Sequence, residues 1–66
     1  MAAVVYAGDR SIPCTVINVS DRGAKLGFPN EIPAPDTFAL FTSADRELQD
    51  CRVVWRGEGQ VGVSFL

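Results

Sequence analysis

The sequence of 66 residues contains no histidine, only two cysteines and no excess of basic residues. The lack of histidine excludes Ser/His and Cys/His catalytic pairs and most zinc sites. The formal net charge is −2, whereas a general DNA- or RNA-binding domain carries a basic excess. We therefore expect a non-enzymatic domain with no DNA or RNA partner and no cofactor or metal. A small anionic ligand is not excluded, because five of the six basic residues are arginine.

Cysteine and long apolar runs are equally scarce. Cys14 and Cys51 are far apart and form no C-x-x-C pair. Without a recognisable secretion signal, we expect two buried thiols rather than a disulfide, in a cytoplasmic protein. Residues 2–7 are too short a run for a signal-peptide core or a membrane span. No membrane association is therefore expected.

The pattern that is present is an alternation of apolar and polar residues, and no helical period extends over three turns. Six segments rich in Val, Phe and Ile are typical of strands, namely residues 2–6, 12–16, 24–28, 38–42, 51–55 and 61–65. Turn- or loop-forming residues separate them at 7–10, 20–23, 29–36, 43–46 and 57–59. The pattern predicts one all-β domain over residues 1–66, either an antiparallel meander or a six-stranded antiparallel small β-barrel. We favour the barrel, because closure removes exposed sheet edges.

The alternation of the second segment changes near its end. Ile17 and Val19 occupy the opposite parity to the apolar residues of the stretch 12–16. Either both faces of this strand are covered, or a bulge near Ile17 and Asn18 shifts the register. We interpret such a bulge as a bend of the barrel rather than as the mark of a binding site.

In the fifth segment, Cys51, Val53 and Trp55 alternate with Arg52 and Arg56. Because Trp55 is in phase with Val53, we expect it in the core. The two arginines are expected on the outer face of the strand, in contact with solvent.

One polar turn contains groups that suit ligand binding. Asn18 and Ser20 are two residues apart, so their side chains project from the same face of a strand. The amide of Asn18 offers both a donor and an acceptor to the edge of a nucleobase. Gly23 permits close approach of the backbone, and we expect it to adopt a positive φ. The same residue types also form ordinary hairpin turns that satisfy their own backbone, and the spacing alone favours that interpretation.

The ordered motifs N-V-S-D-R-G, A-K-L, V-V-W-R and G-V-S-F resemble the bacterial PilZ domain family over residues 11–65. In that family, a [D/N]-x-S-x-x-G turn after the second strand precedes strands with these patterns. The resemblance implies a six-stranded antiparallel barrel and cyclic di-GMP, a bacterial second messenger, as the ligand. Asn18, Ser20 and Gly23 match the family's binding turn, and Arg22 within that turn is a candidate for contact with a phosphate.

PilZ receptors usually carry an R-x-x-x-R motif before the first strand, and none precedes the first predicted strand here. Arg52 and Arg56 have the spacing but lie within a predicted strand. Two lost arginine contacts, each about 1.5–3 kcal/mol, would weaken a micromolar site to about millimolar affinity or beyond. We therefore expect weak or absent binding of cyclic di-GMP, unless another segment or chain supplies arginines. The alternative is a degenerate PilZ module that binds an unidentified protein partner as an adaptor, without nucleotide.

Overall fold

The computed structural model describes residues 1–29, 35–42 and 46–66. These residues form only β-strands, turns and short irregular segments, with no helix. The strands are β1 (Ala2–Ala7), β2 (Arg10–Val19), β3 (Gly23–Gly27), β4 (Thr37–Thr42), β5 (Leu48–Gly57) and β6 (Gln60–Phe65). Each one contains most or all of one of the segments predicted from the alternation.

The six strands close into an antiparallel barrel with the order β1-β2-β3-β6-β5-β4. The predicted barrel is therefore confirmed, and the meander is wrong. In a meander β3 would pair with β4, whereas here β3 pairs with β6 and β4 pairs with β1. The β3–β4 connection thus joins strands that are not neighbours. Residues 30–34 of the predicted loop 29–36, and residues 43–45 of the predicted turn 43–46, lie outside the described residues.

The apolar side of each strand faces the barrel interior. Leu26, Val5 and Cys51 are the largest fully buried side chains. The buried core consists of Ala3, Val5, Ile12, Cys14, Val16, Leu26, Phe38, Leu40, Cys51, Val61 and Val63. In the ranges that the structure describes, no polar or charged residue is buried. The polar side chains of these described residues therefore lie on the barrel surface or at its ends.

Two tight hairpin turns have the predicted positions. Gly8, between β1 and β2, has a φ of 65°, and Gly59, between β5 and β6, has a φ of 69°. An L-residue with a side chain rarely adopts this left-handed conformation, so glycine is favoured at both positions. The turns predicted at 7–10 and 57–59 are confirmed.

Two strands contain a bulge. The register between β2 and β3 shifts between Val16 and Asn18, so of the two alternatives for this strand the structure shows the bulge near Ile17 and Asn18. The register between β5 and β6 shifts between Val53 and Trp55, which the sequence did not predict. The prediction of a core position for Trp55 is wrong, because this second bulge turns the residue outward and leaves 44% of it exposed.

The second bulge also separates the two arginines of β5. Arg52 lies opposite Ser64, whereas Arg56 lies opposite the buried Val61. Because residues directly opposite each other point to the same side of a sheet, Arg52 and Arg56 do not share a face. Both are exposed, as predicted, but the outer-face position predicted for Arg56 is wrong, because Arg56 shares the inward side of Val61. Arg56 forms an ion pair of 2.9 Å with Asp36. An exposed pair of this kind contributes little to stability.

Both cysteines are free and buried, as predicted. Burial raises the pKa of Cys14 from 9.0 to about 11. Burial also raises the pKa of Cys51 to about 11, with a further contribution from the Asp50 carboxylate. Both thiols are therefore protonated near neutral pH, which makes them poor nucleophiles.

We expect the thiols of the folded domain to react with a disulfide reagent at pH 8 about 100-fold more slowly than in concentrated urea, because two pKa units change the thiolate fraction by about 100-fold. Equal reaction rates in buffer and in urea would contradict the burial of the thiols.

The raised thiol pKa values also predict how stability depends on pH. The unfolded chain loses the thiol protons at a lower pH than the folded domain does. The free energy of unfolding should therefore be unaffected by the thiols below pH 9 and fall as the pH rises from 9 to 11.

Candidate functional site

A row of opposed residues crosses the outer surface of four neighbouring strands. Asn18 of β2 lies opposite Lys25 of β3, and Lys25 lies opposite Gly62 of β6. Gly62 in turn lies opposite Trp55 of β5. Because directly opposed residues share a face, the four positions form one continuous strip on the barrel exterior.

The bulge in β2 places Asn18 in this row. Val16 faces the core opposite Leu26, and Asn18 is the next residue of β2 with a partner, opposite Lys25. Ile17 is the extra residue without a partner. In a regular ladder continuing from the Val16–Leu26 pair, Ile17 would lie opposite Lys25, and Asn18 would occupy the inward-facing position opposite Ala24. The bulge therefore turns a polar amide to the outside, where a ligand can reach it.

The bulge in β5 has the same effect on Trp55. Val53 faces inward opposite Val63, and Trp55 lies opposite Gly62, so Val54 is the extra residue. In a regular ladder continuing from the Val53–Val63 pair, Val54 would lie opposite Gly62, and Trp55 would lie opposite Val61 and point into the core. Two bulges on different strands thus bring an amide and an indole to the same outer row.

Gly62 provides the space for the indole. A Cβ atom added to Gly62 would overlap the Trp55 ring at Nε1, Cε2 and Cδ1. Gly62 is itself buried although its position faces outward. The pyrrole part of the indole therefore covers the backbone of β6, while 44% of Trp55 as a whole stays exposed.

Lys25 completes the row with a positive charge. Its Nζ atom lies over the Trp55 ring, 5.9 Å from the centroid. This distance is within the range of cation–π interactions. The side chain of Lys25 forms no hydrogen bond or ion pair with any residue in the described ranges.

These residues surround an open depression with a volume of about 310 Å³. This volume is at the lower end of the range for small-molecule sites. The lining residues are Asn18, Val19, Ser20, Gly23, Ala24, Lys25, Trp55 and Val63. The depression thus includes the predicted Asn18, Ser20 and Gly23, but not Arg22. Lys25 and Trp55 line it as well, and neither was among the predicted site residues.

The polar groups of the turn have different roles. The Ser20 hydroxyl accepts a hydrogen bond of 3.3 Å from the Arg22 amide and donates one of 3.5 Å to the Gly23 carbonyl. The Ser20 amide also donates to that carbonyl, at 2.8 Å. The side-chain amide of Asn18, by contrast, has no partner among the residues described. Ser20 therefore stabilises the turn, and Asn18 presents unsatisfied donors and an acceptor to the depression.

Gly23 and Arg22 hold the turn against β6. The positive φ predicted for Gly23 is wrong, because its backbone lies outside the left-handed region. A Cβ atom on Gly23 would instead overlap the carbonyl oxygen of Val63. Glycine is thus required because β3 and β6 approach each other closely here. The Arg22 carbonyl accepts a hydrogen bond of 2.8 Å from the Phe65 amide, and the Arg22 side chain is exposed beside the depression.

The site carries one positive charge and no negative one, because Lys25 is the only ionisable residue in its lining. The arrangement suits an anion with a flat aromatic part. Within ranges 1–29, 35–42 and 46–66, no group of three or more His, Cys, Asp or Glu residues could hold a metal ion. No helix in the same ranges is long and apolar enough to cross a membrane.

The family model of the PilZ domain matches the chain over residues 1–66. The chain belongs to the PilZ domain family. PilZ domains are non-enzymatic receptor domains that bind cyclic di-GMP. No curated protein and no solved structure matches this PilZ domain significantly.

Proposed function

We propose that this PilZ domain binds cyclic di-GMP in the depression beside the turn 18–23 and that its affinity alone is weak. The observation that carries the proposal is the outer row in which Asn18, Lys25 and Trp55 meet. The exposed indole offers a stacking surface for guanine. The unsatisfied amide of Asn18 can bind the edge of a base, and the ammonium of Lys25 can bind a phosphate.

The charge of the site supports a weak affinity. Cyclic di-GMP carries two phosphates, whereas Lys25 is the only basic residue that lines the depression. The net charge of −2 adds no attraction for an anion. With one charged contact where two anionic groups must bind, we expect a dissociation constant of about 1 mM, roughly −4 kcal/mol. Arginines from another segment or chain would make binding tighter.

Asn18→Ala should weaken binding of cyclic di-GMP about tenfold, because a well-placed amide–base contact contributes about 1–3 kcal/mol. The domain has one tryptophan, so the single indole N–H signal in an NMR titration reports on the site directly. Asn18 is exposed, and the far-UV circular dichroism spectrum should therefore not change.

Thr15→Ala is the matched control, because Thr15 is also exposed on β2 but lies outside the depression. It should bind as the unchanged domain does. Two results would contradict the proposal: an indole signal that does not move up to 10 mM cyclic di-GMP (about tenfold above the expected dissociation constant), or unchanged affinity of Asn18→Ala.

A second candidate function is that of a protein-interaction module without nucleotide. An apolar cavity of about 410 Å³ opens at the end of the barrel where β2, β4 and β6 end. Its lining includes Val19 and Met1, each 53% exposed. Exposed apolar surface of this kind is typical of partner-binding sites. If the Trp55 indole signal does not change when cyclic di-GMP is added, this second function is favoured.

We further propose that the domain acts in the cytoplasm and is not an enzyme. The two free thiols suit a reducing compartment. In the depression, Ser20 is the only hydroxyl, and the lining contains no base that could activate it. A binding role rather than catalysis therefore agrees best with the groups that line the site.

A further inference from the structure

The Trp55 ring has only one region on which a flat base can stack. Its pyrrole part covers the backbone at Gly62, so this side of the indole is closed by the barrel itself. The ammonium of Lys25 lies over the ring, 5.9 Å from its centroid. A base that stacks on the exposed indole must therefore compete with the Lys25 side chain for the same surface.

The ammonium is held there weakly enough to be displaced. Lys25 forms no ion pair with any of the residues that the structure describes, and the depression contains no carboxylate. Its attraction to the indole is of the modest kind found where solvent reaches the ring, since Trp55 is 44% exposed. A phosphate offers a charge-assisted hydrogen bond, which is a stronger partner for an ammonium than an aromatic face.

We propose that Lys25 is a specificity-determining residue that makes stacking on Trp55 depend on a negative charge in the ligand. An uncharged nucleoside must displace the ammonium from the indole without offering it another partner. A nucleotide draws the ammonium to its phosphate and frees the ring for its base. The inference rests on the proposed function for the place of the ligand, and it adds the residue by which the site distinguishes a purine nucleotide from a purine nucleoside.

This role differs from simple attraction of an anion. If Lys25 only attracted phosphate, its removal would weaken nucleotide binding and leave nucleoside binding unchanged. If Lys25 also covers the indole, its removal must strengthen nucleoside binding. The opposite directions of the two effects provide a test that does not depend on the absolute affinities.

The test compares inosine, a soluble purine nucleoside, with inosine 5′-monophosphate, using the Trp55 indole N–H signal as the readout. In the unchanged domain, the nucleotide should bind at least tenfold more tightly, as expected for a hydrogen bond to a charged group. Lys25→Met keeps an apolar stem but removes the charge. In this variant, nucleotide affinity should fall about tenfold, and nucleoside affinity should rise about threefold, as expected for a lost cation–π contact.

Arg10→Met is the matched control, because it removes an exposed cation of β2 that does not line the depression. It should leave the affinities of both ligands unchanged. Lys25→Gln should reproduce the pattern of Lys25→Met, which separates the effect of charge from that of packing.

Two failures can be told apart. If cyclic di-GMP does not move the indole signal, the proposed function is wrong, and the inference about Lys25 is overturned with it. If cyclic di-GMP binds but inosine binds Lys25→Met no better than the unchanged domain, the inference is overturned while the proposed function stands.

Discussion

Gly23→Ala is expected to lower the free energy of unfolding by about 3 kcal/mol, at the upper end of the range for overpacked positions. The added Cβ would overlap the Val63 carbonyl oxygen, which is backbone and cannot rotate away. β3 and β6 would have to separate where Gly23 lies opposite Ser64. A chain of 66 residues has a total stability of roughly 3–10 kcal/mol, so the loss is a large fraction of the whole. Urea denaturation followed by far-UV circular dichroism measures it.

Gly57→Ala is the matched control within the same barrel. Its added Cβ would lie 3.4 Å from the nearest atom, a carbon of the Trp55 side chain, and its φ is not positive. The change should stay within about 0.5 kcal/mol, as for other surface substitutions. If Gly23→Ala has the same free energy of unfolding as the unchanged domain, the close approach of β3 and β6 is contradicted. If a Gly23 variant loses ligand binding, the first explanation is therefore destabilisation of the barrel rather than loss of a ligand contact.

Leu26→Ala is expected to lower the free energy of unfolding by about 2–5 kcal/mol, a large share of the total stability, and so to raise the unfolded population at 25 °C. Leu26 is 0% exposed and belongs to β3, which pairs on both sides, with β2 and β6. A strand held on both edges cannot move inward to fill the cavity that the substitution leaves. Loss of the dispersed amide signals in an NMR spectrum would show the unfolded population.

Two controls separate the cost of the buried cavity from the cost of replacing a leucine as such. Leu26→Met keeps nearly the same volume and should cost less than about 1.5 kcal/mol. Leu48→Ala removes the same atoms at a position that is 62% exposed and should have an effect within about 0.5 kcal/mol. A thermal unfolding midpoint of Leu26→Ala equal to that of Leu48→Ala would show that Leu26 is not part of a packed core.

The strands and their faces could be predicted from the sequence because they depend on local alternation. In β6, Val61 and Val63 point inward with Phe65 against the core, as the period of two predicts. The pairing of β3 with β6 depends instead on contacts between residues far apart in the chain. Alternation alone cannot distinguish this barrel from a meander, since both use the same strands and the same turns.

The two bulges explain which part of the site could be predicted. Along β2, the change of parity at Ile17 is visible in the sequence, so a bulge beside Asn18 could be considered as one of two explanations. Along β5, Val53, Val54 and Trp55 are all large apolar residues, so an extra residue leaves no mark on the alternation. The contact of Trp55 with Lys25 depends on the register of two strand pairs, β3 with β6 and β5 with β6. The only local signal for the exposed indole is Gly62, which leaves the space that the ring occupies.

The proposed binding site is tested most directly by measuring intermolecular nuclear Overhauser effects between cyclic di-GMP and the ¹⁵N-labelled domain at near-saturating ligand. We expect contacts from guanine protons to the Trp55 indole and to the side-chain amide of Asn18, as the proposed site requires. Ligand contacts confined to other surfaces, such as the apolar cavity at the barrel end, would contradict it.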